Sequence, residues 1–177
     1  MKMFKKLLAV ALAGVMALAV LTGCGSALNE AEIIRVLNDS LKTSSSEQIK
    51  EYKADSGMTA KAKAVGKIVA EKAKKEADIK DILWNNEDVE KAVVAENDTA
   101  IYGVSYVKSI SYSSNYYKNN RDIMNVMALN ENVVGMNVRA DYQTAKNATV
   151  LVGFADIKLD DGVYTIVVMQ SPTEKIA

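Results

Sequence analysis

The chain has 177 residues, 22 basic against 22 acidic side chains, 49% hydrophobic residues, one cysteine, one proline and no histidine. That size suits one domain with a substantial core, and a lone cysteine excludes a disulfide framework. The absent histidine removes the commonest general base and metal ligand, and balanced charge leaves no basic footprint for nucleic acid.

Lys2, Lys5 and Lys6 precede an apolar run from Leu7 to Leu21, the layout of a secretory signal. As a helix the run spans about 23 Å, short of a hydrocarbon core about 30 Å thick, so a permanent membrane span is not expected. It ends in Leu21-Thr22-Gly23-Cys24, which resembles the bacterial lipobox. That resemblance implies a diacylglyceryl group on the Cys24 sulfur and cleavage on its N-terminal side. A cut after Ala17-Leu18-Ala19 is the alternative, and it leaves an unpaired, exposed cysteine on a secreted protein. Residues 1–23 are expected to be a lipoprotein signal peptide, 24–28 a lipidated N-terminus with a short tether, and 29–177 a single α+β domain. Two acyl chains, at about 0.8 kcal/mol per buried CH₂, hold such a protein on the outer face of the cell membrane. Without the signal the chain has roughly 150 residues and a net charge of about −3.

The mature part reads as helical first and β-rich second, an α+β domain with N-terminal helices packed on an antiparallel sheet of about five strands. Asn29 is placed to cap a first helix, with Glu30 and Glu32 in its first turn and Ile33, Ile34, Leu37 and Leu41 as its stripe. Thr43 to Ser46 ends it. A polar stretch from Glu47 to Gly57 leads to Met58, Ala62, Val65, Val69, Ala73 and Ala77, whose spacing predicts one amphipathic helix of several turns. Val89–Ala95 and Thr99–Ile110 predict a hairpin turning at Asn97-Asp98, with Tyr102, Val104 and Tyr106 on one face. Asn120 is expected to cap a short helix bearing Ile123, Met124 and Met127 and ending near Asn130. Val133–Val138, Thr149–Leu159 and Val163–Gln170 predict further strands, the last two joined by Asp160-Asp161-Gly162. Pro172 follows, where its missing N–H does least harm.

Serine nucleophiles need an adjacent base, usually the histidine this chain lacks, and Ser105 with Lys108 falls on a predicted strand without a companion motif. Glu87, Asp88, Glu90, Glu96, Asp98, Asp156, Asp160 and Asp161 supply carboxylates for glycoside chemistry, but Asp98, Asp160 and Asp161 sit at turns, which favour Asp for its local hydrogen bonds. No calcium loop of EF-hand spacing is present. Lys61, Lys63, Lys67, Lys72, Lys74 and Lys75 suit anionic headgroups, yet Lys67-Glu71, Glu71-Lys75 and Lys72-Glu76 are four apart, the spacing of a solvated, paired helix face. Tyr112, Tyr116 and Tyr117, set among Ser111, Ser113, Ser114, Asn115, Asn119 and Asn120, form the mixture that adaptable recognition surfaces favour. They are the candidate ligand-binding residues. The competing reading makes this segment a polar loop, with Tyr102 and Tyr106 turned to the core.

Tyr142-Gln143-Thr144-Ala145-Lys146-Asn147-Ala148 followed by Gly162-Val163-Tyr164-Thr165-Ile166-Val167-Val168 resembles a family of small lipoproteins from gut clostridia. Val89 to Tyr106 followed by a helix and Val133 to Asp141 is similar to the small sporulation lipoproteins of spore-forming Firmicutes. Glu96-Asn97 with Asn120-Arg121 and Val134-Gly135 is similar to the cysteine-rich secretory (CAP) pattern. That family places its metal-binding histidine where Asn120 stands, so the resemblance implies a lost metal ligand. The expectation is a Gram-positive, extracytoplasmic lipoprotein that binds a ligand or protein without catalysis, takes no cofactor or metal and has no nucleic-acid partner. The alternative is a cell-envelope enzyme using carboxylate or lysine chemistry. If Cys24 carries the anchor, Cys24→Ser abolishes labelling by radioactive palmitate; label retained in that variant contradicts the assignment.

Overall fold

Two apolar faces on one sheet organise the domain. The computed structural model describes residues 30–42, 48–108 and 115–176, with the backbone alone at 115–122. In chain order the elements are α1 (Glu30–Leu41), β1 (Ile49–Ala54), α2 (Ser56–Lys72), α3 (Glu76–Asn85), α4 (Glu87–Val93), β2 (Ile101–Lys108), α5 (Asn115–Glu131), β3 (Val134–Met136), β4 (Tyr142–Thr144), β5 (Ala148–Leu159), β6 (Gly162–Ser171) and β7 (Thr173–Lys175). The fold is α+β. Five strands lie in the order β1-β5-β6-β2-β3, and β4 pairs with β7 in a separate ribbon.

Alternation along the strands sends side chains to opposite faces. On one face Tyr102, Val104, Tyr106, Ala155, Ile157, Ile166 and Val168 pack under α2, α3 and α4. On the other, Val107, Val150, Val152, Phe154 and Val167 pack against Ile33 and Leu37 of α1 and Val126 and Leu129 of α5. Helices therefore cover both faces, and α1 lies opposite the other N-terminal helices. Inside the second layer Ser105 donates to the Leu129 carbonyl at 2.7 Å, so this buried hydroxyl serves packing.

The sheet is mixed where a purely antiparallel one was expected. The turn at Asp160-Asp161 sets Leu159 opposite Gly162, and β6 runs antiparallel to β5 and β2. β1 pairs with β5 in parallel. It lies within the stretch read as polar, because an edge strand with half its residues in solvent carries little apolar signal. Both backbone groups of Tyr52 on β1 are met by Asn38 of α1, at 2.7 and 2.9 Å.

Three predicted elements also take another form or other bounds. The helix predicted through Ala77 stops at Lys72, because the Asp78 carboxylate accepts the amides of Lys74 and Lys75 at 2.9 and 3.1 Å and starts α3 there. Val89–Ala95 is not a strand but belongs largely to α4: Asn86 caps it, and Val89 and Val93, one turn apart, are fully buried. The segment's β-branched residues signal a strand, while its cap and acidic first turn favour a helix. Asn97 then turns into β2 at φ 62°. The last helix starts at Asn115, not Asn120, and buries Asn125, Val126 and Leu129 while Ile123 and Met127 stay exposed. Tyr102 and Tyr106 are buried, as read.

The β1–α2 corner lies directly on β5. The Asp55 amide donates to the Val152 carbonyl at 2.9 Å, and the Asp55 carboxylate caps α2 by accepting from the Met58 amide at 2.9 Å. This seats Met58 and Thr59 over Gly153, where an added Cβ would lie 2.0 Å from the Thr59 nitrogen. Backbone cannot yield as a flexible side chain does. Gly153→Ala is therefore expected to destabilise by about 3 kcal/mol or more in urea unfolding. Gly103→Ala, whose Cβ meets nothing closer than 3.5 Å, costs about 1 kcal/mol or less. Equal stability of the two variants contradicts this packing.

Candidate ligand groove

Ile79 and Leu83 form the buried stripe of α3. A helix turns about 100° per residue, so Trp84, next after Leu83, leaves that stripe and points to solvent. It is the only tryptophan of the chain, and it is 60% exposed. Asn85 donates to Asp81 at 2.6 Å, while Asn86 ends α3 and begins α4, accepting the Asp88 amide at 3.0 Å. The chain thus turns between two helices within one residue. Burial of Val89 and Val93 leaves Glu87 and Glu90 outside.

Across from this elbow runs β3. It pairs with β2 through Val134, Gly135 and Met136 on one side only. These three residues, together with Leu83, Trp84, Asn85, Asn86, Glu87, Glu90 and Asn137, line a cavity of about 310 Å³. Asn137 fixes one wall: at φ 55° it turns the chain out of the strand, and its amide donates to the carbonyls of Asp98 and Ala100 at 3.0 and 2.8 Å. A second hollow, lined by Lys91, Val94, Ala95 and Glu96, shares Glu87 and Glu90 with the first. Glu87 pairs with Lys91 at 3.2 Å. Among the described residues the Glu90 side chain has no hydrogen-bond or ion-pair partner.

Other polar clusters are engaged internally. At the hollow beside Pro172, Gln170 donates to the Tyr102 hydroxyl at 2.7 Å, and that hydroxyl donates to Asp98 at 2.5 Å. Burial and the adjacent Asp98 carboxylate push Tyr102 up to about 12. Burial also opposes the Asp98 charge, but donors from Tyr102 and the amides of Ala100 and Thr99 outweigh it and hold that carboxyl below its ordinary range. Lys61 donates to the Val93 carbonyl at the end of α4 and lies over the Tyr102 ring. Lys72 reaches Asp88 of α4 at 3.1 Å, not Glu76, and Glu71–Lys75 is not a pair within one helix, since α2 has ended; Lys67–Glu71 approaches to 4.0 Å. Asp161 does more than turn a hairpin, accepting the Glu76 amide at 3.0 Å and so tying the β5–β6 turn to α3.

Cys24 and Tyr112 lie outside the described residues, and Tyr116 and Tyr117 fall on the first turn of α5, where the backbone alone is described. The segment from Asn115 is helical, where the sequence predicts a polar loop as far as Asn120. The groove escaped the sequence reading although one signal was available: a tryptophan set one residue off a helical stripe and followed by Asn85-Asn86. No helix among the described residues is long and apolar enough to cross a membrane, and no three metal-binding side chains among them converge. Compared with known proteins, the chain matches no protein family, no curated protein and no solved structure.

Asp78 and Asp161 sit below the ordinary 3.8 chiefly because backbone amides donate to their charged forms, from Lys74 and Lys75 in one case and Glu76 in the other. Their contribution is fully present above pH 3.8 and is lost as pH falls through the lowered folded values. The pair Asp78→Asn with Asp161→Asn is therefore expected to flatten the acid limb of stability against pH. An unchanged acid limb in urea titrations contradicts these assignments.

Proposed function

We propose that this protein is a lipid-anchored, extracytoplasmic binding module of the bacterial envelope, and that the Trp84 groove holds its ligand. The observation that carries the reading is an exposed, unique tryptophan on a cavity whose facing wall is an edge strand of the sheet. Concave sites combining an aromatic surface with a few convergent polar groups are the usual form of ligand pockets. The lipobox at Cys24 supplies the anchor and the address. An envelope enzyme is the weaker reading, because Asp78, Asp98, Asp161, Lys61 and Lys72 all hold elements of the fold together.

A thermal-shift screen against cell-wall fragments, glycans, peptides and metal salts identifies ligands of the folded state by the stability they add. Trp84→Ala, at an exposed position, should alter intrinsic stability by about 0.5 kcal/mol or less. It should also abolish the shift that the screen finds. Ligands that stabilise Trp84→Ala as they do the parent place the site elsewhere, and consumption of a ligand favours the enzyme.

A further inference from the structure

We infer that the groove takes an extended peptide segment carrying a lysine or arginine side chain, which adds as a strand to the outer edge of β3 and sets its cation against Trp84 and Glu90. This deepens the groove reading and rests on it.

The two ends of the sheet are treated differently. At β1 the backbone of Tyr52 is satisfied on both its N–H and its carbonyl by Asn38. β3 lines the cavity, and among the described residues no strand or side chain bonds its outer edge. Unpaired strand edges recruit another extended chain by main-chain hydrogen bonds. Gly135, at the middle of β3, is exposed.

Charge selects the occupant. The ionisable residues lining the cavity are Glu87 and Glu90, both acidic. In the adjoining hollow the one base, Lys91, is paired to Glu87. Glu90 therefore faces the groove as an unneutralised carboxylate beside an indole, whose negative face attracts cations. The same field repels phosphorylated or acidic ligands and anionic headgroups. A second copy docking here about a two-fold axis brings Glu87 and Glu90 against their own counterparts, so a basic partner is the better complement.

The test uses the full chain in detergent micelles and the fluorescence of Trp84, which is unique in the sequence. The probe is an acetylated, amidated heptapeptide of alternating lysine and threonine. Saturable change is expected, about tenfold weaker for Glu90→Gln and for the same peptide with alternate amides N-methylated. Melting curves establish that Glu90→Gln remains folded. Equal binding of the N-methylated peptide, or of acetyl-lysine amide alone, overturns strand addition. Equal binding of the glutamate–threonine peptide overturns the charge argument. Either result leaves the groove occupied and the broader proposal intact. No response to any peptide overturns the inference, as does a Trp84 signal that changes with protein concentration alone. The broader reading fails separately, if ligands from the thermal screen still stabilise Trp84→Ala.

Discussion

The backbone contact between α2 and Gly153 sets the position of everything on its side of the sheet. Asp55 makes it possible by holding β5 through its amide and the first turn of α2 through its carboxylate. With two bonds from one residue, the corner has little freedom to slide along β5. From there Met58, Ala62, Val65 and Val69 run across the sheet, and Lys61 and Lys72 reach from α2 to α4. The ion pair is exposed and contributes little energy alone, but apolar burial of Val89 and Val93 supports the same arrangement. The elbow at Asn86 is thereby held opposite β3. The cavity lies between two walls, one held on the sheet by α2 and the other by β2.

Polar groups divide into those that build this frame and those that face outward from it. Asp55, Asp78, Asp98 and Asp161 each accept backbone amides, and Asn38 and Asn137 bind backbone at the opposite ends of the sheet. Such bonds satisfy groups that are costly to leave unpaired. The groove collects the other kind: the outer edge of β3, the Glu90 carboxylate and the exposed face of Trp84. Charge assigned to Glu87 has a simple structural role at the start of α4, where it complements the helix dipole. Glu90 belongs to the same first turn but, unlike Glu87, has no ion-pair partner among the described residues.

Much of the domain was legible because its strongest strands are also its most regular. β2, β5 and β6 alternate and carry β-branched residues, and the Asp160-Asp161-Gly162 turn announces the hairpin. α1 and α2 show their stripes. What stayed hidden depends on tertiary partners. β1 is recognisable as a strand only beside β5, and the break after Lys72 depends on Asp78 capturing two amides against a continuous apolar spacing. Val89 and Val93 satisfy a helix as well as a strand, so the cap at Asn86 decides. The groove was least legible, since β3 and Trp84 lie about fifty residues apart and become one site only through the packing of α2 and α4.

Backbone amide chemical shifts, recorded on the isotope-labelled full chain as the lysine–threonine peptide is added, test the central claim most directly. Binding in the groove predicts progressive shifts at Val134 to Asn137 and at Trp84 to Glu90, with slowed amide exchange at β3 and no comparable change along β1. Shifts centred on another surface, with the β3 amides unmoved at saturation, contradict the account.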